Sequence, residues 1–258
     1  MKYNILLLLC SFNIFFALAQ KTQVLDNSLF ECHYKCLQKN NDDLFILRYG
    51  KNVSQFYSYF YNRYDSLLTD SQGGDRAIQE LGNAVDHYKD KAFQLKTSAV
   101  NTEYLYYNWP TKGILTMFSQ VFLSHYRVEE DIPNIQWNLI NDSVKNIIGY
   151  KCQLAQTTFR GRDWYAWYTS DIPASMGPWK LSGLPGLILE AYDDKNYIRF
   201  TAISLLQHGI RPVMFLNYLD FKFQKITREE YLKAKKSVKY PSSKTKAIQT
   251  NPPYIELN

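Results

Sequence analysis

The stretch IIGYKCQLAQTTFRGRDWYAWYT, residues 147–169, reads as two strands joined head to tail. Residues 147–159 and 164–169 are rich in β-branched and aromatic side chains, and Arg160-Gly161-Arg162-Asp163 between them has turn chemistry. Aromatic side chains fall on both faces of residues 164–168, so this strand is expected to be covered on both sides. A hairpin here commits the surrounding chain to a sheet.

The neighbours follow the same pattern. Residues 187–192 pair with 197–205 across Asp193-Asp194-Lys195-Asn196. Upstream, residues 30–37 and 44–49 flank the polar turn Lys39-Asn40-Asn41-Asp42-Asp43, and 53–58 adds a short strand. Residues 104–109 lead through Pro110-Thr111-Lys112-Gly113 into one strand over 114–126. Two helices interrupt the β signal. Ala77, Ile78, Leu81, Val85 and Tyr88 recur at helical spacing and predict a long helix over residues 75–95. Thr227-Arg228-Glu229-Glu230 is a capping box that opens a short basic helix through Lys236. The predicted fold class is α+β, mainly antiparallel β: a curved meander sheet with one long helix and a short C-terminal one.

Composition agrees with a packed domain. With 46% hydrophobic and 16% aromatic residues in 258, the chain is excluded from the disordered and low-complexity classes. The net charge of +6 comes from interspersed acidic and basic residues, with no basic stripe that would call for nucleic acid. No internal repeat or second domain is visible.

Lys2, the apolar residues 5–16 and Ala17-Leu18-Ala19 have the three-part layout of a secretory signal peptide over residues 1–19. A single domain is then expected over 20–238, with a loose tail over 239–258 and no transmembrane segment after cleavage. The protein is expected in the periplasm, at the outer membrane or outside the cell. Export brings oxidising conditions, and Cys32, Cys36 and Cys152 survive cleavage. Cys32 and Cys36 lie on one face of a strand, roughly 13 Å apart, too far to bridge each other. The candidate disulfide is therefore Cys152 with Cys32 or Cys36.

Catalytic signatures are not found in the sequence. His33, His87, His125 and His208 have no metal-ligand spacing, and on a strand His33 points away from Cys32 and Cys36. No nucleophile elbow, phosphate-cradling glycine loop or zinc-protease motif is present. No catalytic residue, metal or cofactor is assigned, and the reading leans away from an enzyme.

The distinctive residues cluster in the middle of the chain. Gly149-Tyr150-Lys151-Cys152-Gln153 is followed by Phe159-Arg160-Gly161-Arg162, by Trp164 to Thr169 and by Ile172-Pro173. Then come Gly177-Pro178-Trp179-Lys180 and Gly183-Leu184-Pro185-Gly186-Leu187-Ile188. In order and spacing this run resembles the GLPGLI family, exported proteins typical of Bacteroidota, for which no activity is established. The resemblance implies a class and a compartment, and no reaction.

Leu184-Pro185-Gly186-Leu187 has the chemistry of a type II turn, with Gly186 supplying a positive φ ahead of an apolar strand. Arg160, Arg162, Trp164 and Trp179 are the candidate ligand-binding residues. Two readings stand for them: a groove beside the turn, suited to carboxylate or phosphate groups, or a solvated hairpin tip. Two functional classes follow. The sheet is similar to the curved half-barrels of LolA-like lipoprotein carriers, which implies a hydrophobic ligand or lipid on its concave aromatic face. The alternative is an interaction module that docks on an outer-membrane receptor protein.

Overall fold

The computed structural model describes residues 22–38, 41–67, 101–237 and 255–256. The signal peptide expected over 1–19 and the helix expected over 75–95 lie outside the described residues.

Fourteen strands are present among them. In chain order they are β1 (Gln23–Asp26), β2 (Ser28–Gln38), β3 (Asn41–Gly50), β4 (Ser54–Ser58), β5 (Tyr104–Tyr107), β6 (Ile114–Val121) and β7 (Ser124–Asp131). The rest are β8 (Asn138–Ile147), β9 (Tyr150–Phe159), β10 (Arg162–Thr169), β11 (Leu187–Asp193), β12 (Ile198–Leu206), β13 (Val213–Phe215) and β14 (Gln224–Ile226). Two short helices, α1 (Tyr59–Leu67) and α2 (Arg228–Ser237), complete the described elements.

Twelve strands form one open sheet in the order β14-β7-β6-β5-β4-β3-β2-β12-β11-β10-β9-β8, and β1 pairs with β13 beside it. All pairings are antiparallel except β14 with β7. The meander follows from the turn chemistry. The β9–β10 hairpin closes at Arg160-Gly161 with Phe159 opposite Arg162, both turn residues taking positive φ as a two-residue hairpin turn requires. The capping box also forms: Thr227 Oγ1 accepts from the Glu230 amide at 3.2 Å, and the Glu230 carboxylate accepts from the Thr227 amide at 2.8 Å.

One hairpin was not visible in the sequence. The single strand expected over 114–126 is two strands, β6 and β7, turned at Phe122-Leu123. Phe122 takes a φ of 56° without a glycine, asparagine or proline to announce it. Likewise β8 precedes β9, where one strand was expected to start at Ile147.

Alternation along the strands makes two cores, one on each face. The larger gathers Phe30, Cys32, Tyr34 and Cys36 of β2 with Trp164, Ala166 and Tyr168 of β10 and inward residues of the strands between and beyond. The smaller packs Ile46, Tyr57, Tyr104, Tyr106 and Phe118 of β3–β6 beneath α1 and the 213–223 segment. Strand β10 fits its expectation by halves. Trp164, Ala166 and Tyr168 are buried, while Tyr165 and Trp167 on the other face are partly covered.

Candidate functional site

The larger core is filled by residues 170–186, which leave β10 at Thr169 and return as β11. Ile172, Ala174, Met176, Trp179, Leu181 and Leu184 from this segment are all buried there. Residues from elsewhere in the chain hold its backbone and that of β11 where the chain returns. Tyr34 donates its hydroxyl to the Ile188 carbonyl at 2.7 Å, Tyr107 donates to the Trp179 carbonyl, and the Trp137 indole donates to the Ser182 carbonyl at 2.8 Å. The amides of Leu187 and Ile188 return to the carbonyls of Ile172 and Met176 at 3.0 and 2.9 Å.

The glycines of the segment are required by close approach. A Cβ on Gly177 would sit 2.7 Å from the Ile188 side chain, and one on Gly186 would sit 2.0 Å from the Thr169 carbonyl oxygen. The type II turn expected at 184–187 is not what forms. The Gly186 amide donates to Leu184 at 2.8 Å, a three-residue turn centred on Pro185. That tighter turn presses Gly186 against Thr169, where β10 and β11 begin to pair.

The structure brings the four candidate residues together, three of them buried and Arg160 partly exposed. Trp164 and Trp179 are fully buried, with ring centroids 5.9 Å apart. Arg162 is buried and donates to Asp193 Oδ2 at 2.6 Å and to the Ile255 carbonyl at 2.9 Å. Arg160 donates to Glu130 Oε2 at 2.5 Å, and its Nε lies 3.5 Å from Glu256 Oε1. Neither the open groove nor the solvated tip describes them: the arginines of this turn are held by carboxylates from β7, β11 and the chain's C-terminal end.

These arginines border a charge cluster that includes residues the sequence reading passed over. Lys180 has a relative exposure of 0% and donates to Glu130 Oε1 at 2.6 Å and Glu256 Oε2 at 3.1 Å. Arg228 of α2 pairs with Glu256 as well. Beside them Lys235 meets Glu103 at 2.7 Å, and Tyr231 donates to Glu103 at 3.0 Å. Burial alone would raise the Glu103 carboxyl, yet the Lys235 charge and these hydrogen bonds hold it below its ordinary value. Glu256 belongs to the tail expected to be loose over 239–258, and it is buried together with Ile255. Lys180 stands in the Gly177-Pro178-Trp179-Lys180 motif, and a lysine between apolar residues in a Gly- and Pro-rich segment was the available signal. Nothing local marks Glu130, Arg228 or Glu256.

On the opposite face a depression is lined by Tyr61, Asp65, Tyr104, His125, Tyr218 and Phe221, among others, and encloses about 10 Å³. Burial pushes the Asp65 carboxyl up to about 6, against the hydrogen bond it accepts from Tyr104 at 2.7 Å. The His125 ring stacks 3.7 Å from Phe221, and burial lowers its pKa. Such a carboxyl can hold a proton near neutrality, but the enclosed space is about that of a single water.

The described cysteines are all buried and free, so Cys152 bridges neither Cys32 nor Cys36. Three strands, β12, β11 and β10, separate β2 from β9 in the sheet. Burial pushes the Cys32 thiol up to about 12 and that of Cys152 up to about 11, so both stay protonated and unreactive. His33 faces away from the cysteine core and pairs with Glu31 at 2.6 Å.

A model of a family described as a protein of unknown function (Porph_ging) matches residues 160–190. That interval contains Arg160, Arg162, Trp164, Trp179, Lys180 and the whole GLPGLI hexapeptide. No curated protein matches the chain. Among solved structures, PNGF-II in space group P21 is similar at 14% identity and a TM-score of 0.48, over 84% of this chain and 34% of that one. The C2 form gives 13% identity and the same TM-score, over 84% and 33%. The chain thus spans about a third of the length of the solved structures it matches.

Proposed function

We propose that this is an exported protein of the bacterial envelope, related to the GLPGLI family, and that it acts as a non-enzymatic interaction module docking on a protein partner. The observation that carries the reading is the β6–β7 tip. Phe122 and Leu123 stand 69% and 77% exposed on a two-residue turn, with Phe122 in a backbone region that a bulky side chain resists. Two large apolar side chains offered to solvent from a strained turn are the chemistry of a docking element.

The carrier reading needs an open apolar face with room for an acyl chain. On that face, however, the place of a lipid is taken by residues 170–186 of the chain itself. Binding is therefore assigned to the outside of the sheet.

Cross-linking in the native envelope tests the proposal. The parent chain should capture a discrete protein partner, and Phe122→Asp with Leu123→Asp should lose it while melting as the parent does. Retention of the partner by the folded double variant would refute the docking tip. Co-purified lipid with no protein partner would favour the carrier.

A further inference from the structure

The cluster around Lys180 contains a charge problem that its own strands do not solve. Arg160 and Lys180 share one carboxylate, Glu130, and Arg228 of α2 faces the same space. The neighbouring Glu103 is ion-paired with Lys235 and also feels the Lys180 charge. Without Glu256, the three cations would be left, among the described residues, with Glu130 as their one ion-paired carboxylate. The Lys180 side chain is only 1% exposed, so water cannot take the missing anion's place.

Glu256 supplies that anion, and the contacts around it define a ligand. Its carboxylate is reached by Lys180, Arg160 and Arg228. One residue earlier, the Ile255 carbonyl accepts from Arg162 Nε at 2.9 Å, and the Ile255 side chain joins the larger core. An apolar side chain, a main-chain carbonyl and a carboxylate are thus read in sequence. Arg228 Nη2 is buried and makes no hydrogen bond, and Arg160 Nε reaches Glu256 only as a 3.5 Å ion pair, so the site's donors are not all satisfied by Glu256.

We infer that Arg160, Lys180 and Arg228 form a receptor for an apolar–acidic peptide, whose resident occupant is this chain's own Ile255 and Glu256. The C-terminal end is then a ligand in cis, exchangeable for an acidic peptide supplied from outside. The inference stands apart from the docking tip, because the two use different residues.

The test uses the full chain carrying Glu256→Ala and a labelled peptide PYIELN, the sequence of residues 253–258. The variant should melt below the parent, bind the peptide saturably and recover thermal stability as the peptide is added. PYIQLN should bind at least tenfold more weakly, and the parent, whose site is filled, should bind PYIELN at least tenfold more weakly than the variant. Glu256→Gln, which keeps the side-chain shape, carries the same test if the alanine variant does not fold. A variant that melts like its parent, or a folded variant that ignores PYIELN, overturns the receptor. Failure of both variants to fold even with peptide overturns exchange and makes the segment a folding element. Light scattering distinguishes the source of the occupant: a monomeric parent keeps it in cis, whereas a dimer that Glu256→Ala dissociates overturns the cis assignment.

Discussion

The β9–β10 and β6–β7 hairpins have turns of opposite chemistry and opposite fates. The first turns through Arg160-Gly161 and leads into Arg162, and both arginines end in ion pairs with carboxylates. The second turns through Phe122-Leu123 and leaves both side chains largely exposed. The arginines of the charged turn are covered, Arg162 fully and Arg160 in part, while the apolar tip is wet. The exposure of a turn is thus set by what approaches it. Glu130, Asp193 and Glu256 arrive at the first tip from distant parts of the chain, while Phe122 and Leu123 of the second are left to solvent.

The comparison breaks most sharply at Arg162. Its replacement by Ala would leave Asp193, whose side chain has no exposure, as a buried carboxylate without its cation. Chemical denaturation should show a loss of about 3–5 kcal/mol. A melt like the parent's would return Arg162 to the solvated tip that the sequence suggested. Next in size is Gly186→Ala, which forces a methyl group against the Thr169 carbonyl. A loss of about 1–3 kcal/mol is expected by the same measurement, the range for overpacking a tight site.

A pH series sharpens the contrast between buried groups that keep a partner and those that lose charge. Burial pushes the Asp43 carboxyl up to about 7, against hydrogen bonds from Ser58 at 2.8 Å and the Leu44 amide at 2.7 Å. A carboxyl raised in the folded state stabilises while protonated. Its contribution is complete below the ordinary Asp value near 4 and is lost as pH rises through about 7. Asp65, raised to about 6, adds the same sign over a narrower window. Melting followed from pH 4 to 8 should fall more steeply in the parent than in Asp43→Asn, and equal slopes would contradict the assignment.

The smallest effect is expected at the other tip. Phe122→Asn suits a positive φ and removes little buried area, so stability should stay within about 0.5 kcal/mol of the parent. A large loss would mean that the apolar tip packs in the folded protein after all.

Much of the sheet could be read from residues alone. Turn residues with local backbone roles placed the β2–β3, β9–β10 and β11–β12 hairpins, and the capping box placed α2, because each depends on neighbours in sequence. The β6–β7 hairpin was illegible for the converse reason: Phe122-Leu123 uses no residue with a turn preference, so nothing local interrupts the apolar run. The candidate site divides in the same way. Its position along the chain was legible, since Arg160, Arg162, Trp164, Trp179 and the glycines of 177–186 are unusual together. Its character was decided only in three dimensions. Residues 170–186 became the filling of a core because residues far away in sequence supply the donors and the apolar walls that hold them. Lys180 became a buried cation because Glu130 and Glu256, 50 and 76 residues away, meet it there. Backbone preference is a property of a few adjacent residues, whereas burial and charge pairing belong to whatever the whole chain brings alongside.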